Sequence, residues 1–358
     1  MASLKFRGAA LALACIALAA SPHAVLAKEA AAPAPAPSAA SASEPYVRPD
    51  VKAFLEKLKA GPKMSFTREA LAVLRTLPPG AIPSQDLPVG ELAVIRDFEM
   101  PGPGGPIKLR LFDARAEREP GPVVVFYHGG GFVFGDLDSY AGLTAEMARG
   151  LDLPVISVGY RLAPEHPWPA APDDGEAAAR WIAANGATLG LKPTGLVLSG
   201  DSAGGNLALI TAAALRDKPA ALPLVMQIPL YPATDSVGVY PSQTQFAEGF
   251  LLSAESMAQF EKHYAADPKS LRTSPLLGNL AGLPPTVLIA ASLDPLRDQN
   301  RAYAAKLVEA GVPTIYLEGR GLIHGFATFR KEIPSAQRDL ADMLALAKEM
   351  LESSGRAD

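Results

Sequence analysis

The chain has 358 residues, of which 49% are hydrophobic and 20% charged, with a formal net charge of −4. That length and aliphatic content can bury a large core, in one big domain or one domain with a lid, and they exclude disorder for most of the chain. There is no Lys/Arg-rich block, which argues against a nucleic-acid partner.

In chain order, the first stretch stands apart. Lys5 and Arg7 precede an apolar run from Ala9 to Ala20, and small residues follow up to Val25-Leu26-Ala27. The run is too short to cross a bilayer. It predicts a secretory signal peptide over residues 1–27, hence a periplasmic or secreted protein with no stable membrane insertion after cleavage. Cys15, the only cysteine, lies inside this segment. After cleavage neither a disulfide nor a thiol nucleophile is available. Residues 28–47 are Ala/Pro/Ser-rich and predict a flexible linker. The folded domain is expected over 48–358.

Two helix-like stretches follow within residues 48–77, separated by Gly61-Pro62. Val51, Phe54, Leu55 and Leu58 recur at helical spacing. Then "ELAVIRDFEM" and "IKLRLFDA" alternate like half-buried strands. Six short, nearly continuous apolar runs come next: "PVVVFYH", "LPVISVGY", "GLVLSG", "LPLVMQIP", "PTVLIAA" and "PTIYLEG". Strands covered on both faces read this way. Helical stretches around 138–150, 173–186, 203–216, 297–311 and 335–352 separate most of them. The alternation predicts an α/β fold, an open, mostly parallel sheet flanked by helices, with its chemistry at the carboxyl ends of the strands. An interruption over about 233–275 contains the helix-like "FLLSAESMAQFEKHYAADP". An insertion of that size predicts a functional lid.

Ser202 lies in "LVLSGDSAGGNLAL", between a strand and a helix. This is the setting of a G-x-S-x-G elbow, where Gly200 and Gly204 let strand and helix approach around an exposed serine. A serine hydroxyl needs a base to take its proton. In elbow-serine hydrolases the order along the chain is serine, acid, histidine, and only His263 and His324 follow Ser202. His324 is preferred, because it leaves the end of the last core strand, whereas His263 sits in the lid. Asp294, three residues past the end of "PTVLIAA", is the preferred acid. Its rival Asp298 opens the next helix, where a carboxylate has a structural reason to be. The turn "HGGGF" offers the bare amides of Gly129, Gly130 and Gly131. With the amide of Ala203, two of these could hold a developing oxyanion. Phe132-Val133 stands where a phosphate loop needs Lys-Ser/Thr, so neither a nucleotide nor another cofactor is expected. No set of convergent ligands suggests a metal.

These residues resemble the hormone-sensitive-lipase-like family of α/β-hydrolase carboxylesterases. The likeness is carried by "HGGGF" (128–132), "YRLAPEHPWPAAPDD" (160–174), "GDSAGGNLA" (200–208), "DPLRDQ" (294–299) and "HGF" (324–326). The resemblance implies a catalytic triad of Ser202, Asp294 and His324, and oxyanion amides from the glycine turn. It implies a helical cap built from about 48–80 and about 233–275. It also implies hydrolysis of short-to-medium acyl esters without a cofactor, with a small-molecule ester as partner; a homodimer is left open. Tyr160, Arg161 and Glu165 are expected to form a buried polar network, His128 to be structural and Asp201 to support the site. Lactones, amides, acetylated sugars and a non-catalytic binding role are the alternatives.

Overall fold

The computed structural model describes residues 44–61, 65–77 and 84–354. The expected signal peptide and all but the last four residues of the expected linker lie outside the described residues. The described chain therefore starts at Glu44, and Tyr46 already has the Arg320 guanidinium over its ring.

The elements run α1 (Pro49–Ala60), α2 (Arg68–Thr76), β1 (Val94–Gly102), β2 (Gly105–Asp113), β3 (Gly121–Tyr127), α3 (Ala141–Leu151), β4 (Val155–Gly159), α4 (Ala170–Ala184), α5 (Gly186–Leu189), β5 (Pro193–Asp201) and α6 (Ala203–Asp217). Then come β6 (Leu224–Leu230), α7 (Pro241–Gln245), α8 (Ala254–Tyr264), β7 (Thr286–Leu293), α9 (Arg297–Glu309), β8 (Thr314–Ile323) and α10 (Pro334–Ser354). The strands form one eight-stranded sheet in the order β1-β2-β4-β3-β5-β6-β7-β8. β1, β2 and β4 pair antiparallel, and the pairs from β4–β3 through β7–β8 are parallel. The two strands whose sequences alternate are therefore the antiparallel ones. β1 lies at the sheet edge and keeps Arg96, Asp97 and Glu99 exposed, which discourages edge-to-edge pairing.

The continuous apolar runs split between two cores by their period of two. Val123, Val125 and Tyr127 of β3 face one core, with Ile182 of α4, Leu207 of α6 and Leu307 of α9. Val124 and Phe126 face the other, with Leu143 of α3 and Leu340 of α10. The N-terminal helices are divided in the same way. Val51 and Phe54 of α1 belong to the second core, and Leu71 of α2 belongs to the first.

The chain crosses from β3 to β4 on one side and returns to β5 on the other, so β3 and β5 are neighbours. Their carboxyl ends open at a switch point of the topology, the usual place for a site in such a sheet. Tyr127 at the end of β3 is paired with Gly200 near the end of β5. The glycine turn and the serine elbow are thereby placed side by side.

Candidate active site

The nucleophile candidate is built first. Ser202 sits between β5 and α6 with φ 54° and ψ −117°, a conformation that a residue with a Cβ adopts only at a cost. The crossing is tight enough to require its glycines. A Cβ on Gly204 would stand 2.0 Å from the Tyr127 carbonyl oxygen, and one on Gly200 would stand 2.4 Å from that of Gly204. The Ser202 N–H donates to the Leu230 carbonyl at 2.8 Å, and its carbonyl accepts from Asn206 at 3.0 Å and from Ala233 at 3.3 Å. The bend is thus over-determined, and the hydroxyl is aimed away from the helix.

That hydroxyl meets His324. Its Oγ lies 2.8 Å from His324 Nε2, and His324 Nδ1 lies 2.7 Å from Asp294 Oδ2. With Nδ1–H donating to the carboxylate, Nε2 is left as the acceptor for the serine proton. Asp294 is fully buried, and its other oxygen accepts the Leu296 N–H at 2.8 Å. Tyr231, next after β6, supports the imidazole with its ring centroid 4.9 Å away.

The rivals are engaged elsewhere. Asp298 accepts the Ser242 N–H at 2.9 Å and pairs with Arg297 and Arg301. Despite partial burial, those partners hold its carboxyl below the usual range. His263 Nε2 lies 2.7 Å from the Phe66 carbonyl, tying α8 to the segment before α2. His166 is exposed. His128 is buried, with Nδ1 on the Gly129 carbonyl at 2.8 Å, and burial pushes its pKa down to about 4. It is a neutral structural ring at neutral pH.

The glycine turn lies beside the serine, with Gly130 at φ 105° and Gly131 at φ 59°. The Gly130 carbonyl accepts from Val133 and Phe134 at 3.0 and 3.1 Å, which curls the turn. The N–H groups of Gly130 and Gly131 have no acceptor among the described residues. As the first residue of α6, Ala203 has no intrahelical acceptor for its N–H. Three unpaired amides therefore stand near one hydroxyl.

The cap is joined to this turn by aromatic rings. Phe260 of α8 covers Gly131 so closely that a Cβ there would lie 2.5 Å from the ring. Phe66 packs on both Phe260 and Phe134, with centroids 4.6 and 5.1 Å away. Phe132 stacks on Tyr264 at 3.8 Å. Arg75 of α2 donates to the Val133 and Ala163 carbonyls at 3.0 and 2.8 Å. Sequence reasoning missed Arg75, Phe66 and Phe260, because nothing local marks a cap residue that meets the turn some 60 or 130 positions away.

In the "YRLAPEHPWPA" stretch one expectation needs correction. Tyr160 is buried and its hydroxyl donates to the His128 carbonyl at 2.6 Å. Arg161 makes a forked pair with buried Asp174. Glu165 is not in a buried network: its side chain is 46% exposed and pairs with Arg75. A carboxylate that needs only one partner stays in water at lower cost. Asp173, at the start of α4, pairs with Arg272. No group of three or more His, Cys, Asp or Glu side chains that could hold a metal occurs among the described residues.

Comparison with known proteins agrees with this fold. Residues 124–328 match the family model described as the alpha/beta hydrolase fold. The chain is 36% identical over 325 residues to the carboxylesterase NlhH of Mycobacterium tuberculosis, covering 86% of this chain and 99% of that one. It is 38% identical over 253 residues to the esterase LipI of the same organism, covering 69% of this chain and 78% of that one. Among solved structures, an ester hydrolase from the metagenome of Lake Arreo superimposes with a TM-score of 0.79 at 32% identity. That match covers 86% of this chain and all of the other. The chain belongs to the hormone-sensitive-lipase-like family of α/β hydrolases.

Proposed function

We propose that the protein is a serine carboxylesterase that cleaves short-to-medium acyl esters through an acyl-serine intermediate. One observation carries this reading: a strained, solvent-reachable serine begins an unbroken relay to a buried carboxylate, in two hydrogen bonds of 2.8 and 2.7 Å. His324 Nε2 takes the Ser202 proton as Oγ attacks the ester carbonyl. The tetrahedral oxyanion is held by the amides of the glycine turn and of Ala203. Asp294 keeps the proton of the neutral imidazole on Nδ1 and stabilises the imidazolium. The imidazolium then protonates the leaving alcohol, and a second cycle with water releases the acid. The esterase names of the relatives support the ester as substrate class. The same machinery would serve lactones, amides or acetylated sugars, and a substrate panel ranks these against simple esters.

The short-acyl preference rests on the family likeness. Export is supported by the leader-like residues 1–27 alone. No helix among the described residues is long and apolar enough to cross a membrane.

A p-nitrophenyl ester series on protein lacking residues 1–27 tests the reading. Rates are expected to fall as the acyl chain lengthens, and Ser202→Ala to lower kcat by at least about 10⁴-fold. Rates that climb toward long chains would overturn the acyl preference. Undiminished turnover in Ser202→Ala would remove the nucleophile.

A further inference from the structure

Arg330 is the largest side chain fully buried among the described residues, and the only buried lysine or arginine there. It lies six residues past His324, and the relay above does not use it. Its guanidinium forks onto buried Asp86, with Nε donating to Oδ1 at 2.7 Å and Nη2 to Oδ2 at 2.8 Å. Nη1 donates to Gln337 Oε1 of α10 at 3.0 Å and stands 3.6 Å from Glu146 Oε2 of α3. Gln337 closes the set by donating to the other Glu146 oxygen at 2.8 Å. The Lys331 N–H donates to the Gln85 carbonyl at 3.2 Å, so the main chain is tied at the same point.

On the esterase reading above, we infer that Arg330 is a positioning residue for the base: it fixes the far foot of the arch that carries His324 to Ser202 and Asp294. The near foot is β8, whose Ile323 pairs with Leu293, directly before Asp294. Between the feet the chain makes one compact turn. The Gly325 carbonyl accepts the Thr328 N–H at 2.9 Å, and the Phe326 carbonyl accepts that of Phe329 at 3.2 Å. With Gly325 at φ 77°, the chain turns back right after the histidine, and the end of the turn is caught by Arg330. Displacing that foot moves the turn, and the imidazole with it.

The ion pair's stability does not by itself account for Arg330. Replacing a buried pair by apolar side chains of like volume is often neutral or stabilising. What the fork adds is geometry, because two parallel bonds set both the distance and the angle of a planar group. The Asp86 carboxylate is closely seated in turn: a Cβ on Gly142, at the start of α3, would stand 2.6 Å from its Oδ2. Asp294 and Tyr231 set how the ring is turned, and the Arg330 foot sets where the backbone presents it. A misplacement of about 1 Å can cost about 100-fold in rate. The loss should fall on turnover rather than on substrate binding.

Removing Arg330 alone would strand the Asp86 charge, so the deciding variant replaces both partners, Asp86→Leu with Arg330→Met. Glu146 keeps Arg149 at 3.0 Å and Gln337 at 2.8 Å. No buried charge is left unpaired, and the protein is expected to fold.

The test is p-nitrophenyl acetate hydrolysis by the full chain across pH, with competent sites counted by fluorophosphonate labelling taken to completion. Per labelled site, kcat is expected to fall about 10- to 100-fold, with KM changed by less than about threefold. The acid limb of the kcat/KM profile reports the imidazole of the free enzyme. It should move to lower pH, because an imidazolium held less well by Asp294 loses its proton more easily. A merely structural pair would lower the number of labelled sites and leave the limb in place. If the double variant yields no folded protein, Arg330→Lys is read instead, since it keeps the charge and loses the fork. Its kcat per site should fall at least about fivefold, with the same movement of the limb. In whichever variant is read, kcat per site within about twofold of wild type, or an unmoved acid limb, overturns the inference and leaves the esterase reading intact. A wild type inert toward every p-nitrophenyl ester, or a Ser202→Ala variant as active as wild type, removes the esterase reading and the inference with it.

Discussion

The two N-terminal helices were expected to form part of one cap, yet they brace opposite sides of the site by different physics. α1 lies under the histidine side. Phe54 packs on Phe329, five residues past His324, with ring centroids 5.1 Å apart, and Arg48 grips Asp339 of α10 through two hydrogen bonds. α2 lies against the glycine turn on the other side of the sheet, held by the Arg75 contacts and the Phe66 ring cluster. Phe54 supports the histidine side by apolar packing. The oxyanion side is supported by buried polar groups, Asp201 and His128 among them. The first kind of support should be insensitive to pH and costly to remove. The second should respond to pH and act on turnover.

Phe54→Ala is the largest break in the comparison. The side chain is 2% exposed, and emptying such a position costs about 3–5 kcal/mol. Urea unfolding at pH 5 and pH 8 should show the same loss at both. Turnover per folded molecule should change little, because Asp294 and Tyr231 still hold the imidazole. A loss confined to one pH would mean that α1 works through charge.

Asp201→Asn tests the polar side. Burial pushes the Asp201 carboxyl up to about 7, against the lowering influence of His324, the Gly129 N–H and the Tyr140 hydroxyl. The other ionisable groups facing it, Tyr140, Tyr160 and Tyr231, are buried phenols raised well above their ordinary range, so they stay neutral. In the unfolded chain an aspartate titrates near 3.9. Between that value and about 7 the folded form keeps a proton that the unfolded form has lost. This group's contribution to stability therefore falls as pH rises through the window and is level above it. Replacing it with Asn should raise stability relative to wild type by at most about 4 kcal/mol at pH 8, with no gain left near pH 3. Melting temperatures of the two proteins across this range check the sign. A gap that widens toward acid would show that the ionised carboxylate stabilises the fold.

Much of the architecture was readable because burial on both faces leaves a continuous signature. "PVVVFYH" and "GLVLSG" became β3 and β5 within two residues at either end. That Ser202, Asp294 and His324 come together was readable because each leaves the carboxyl end of such a strand. The contacts that tune the site were not. The close approach of Gly129 to Asp201 spans 72 positions, and nothing in "HGGGF" announces it. The separate destinations of α1 and α2 were hidden for a similar reason: both have an amphipathic face, and the pattern does not say which core that face meets. Glu165 looked internal because its motif is apolar and proline-rich, but its partner Arg75 comes from a helix ninety residues earlier.

The smallest expected effect separates two explanations of the α2 clamp. A single nitrogen of Arg75 donates to two backbone carbonyls and to the Glu165 carboxylate at 2.8 Å. The carboxylate is 46% exposed and the arginine 28%, so the ion pair itself should contribute no more than about 1 kcal/mol. The carbonyls belong to the turn after Gly131 and to Ala163, whose N–H in turn bonds the Phe132 carbonyl at 2.9 Å. Charged donors to such groups contribute about 1.5–3 kcal/mol. If the clamp acts through the backbone, Arg75→Gln should cost about 2 kcal/mol and lower kcat/KM several-fold. Glu165→Gln should leave both nearly unchanged, and 1 M salt should not reproduce the Arg75 loss, since screening acts mainly on exposed pairs. Equal losses in the two variants, both abolished by salt, would reduce the clamp to a surface ion pair. α2 would then be held to the oxyanion side by its aromatic rings alone, and the contrast with α1 would shrink to a choice of core.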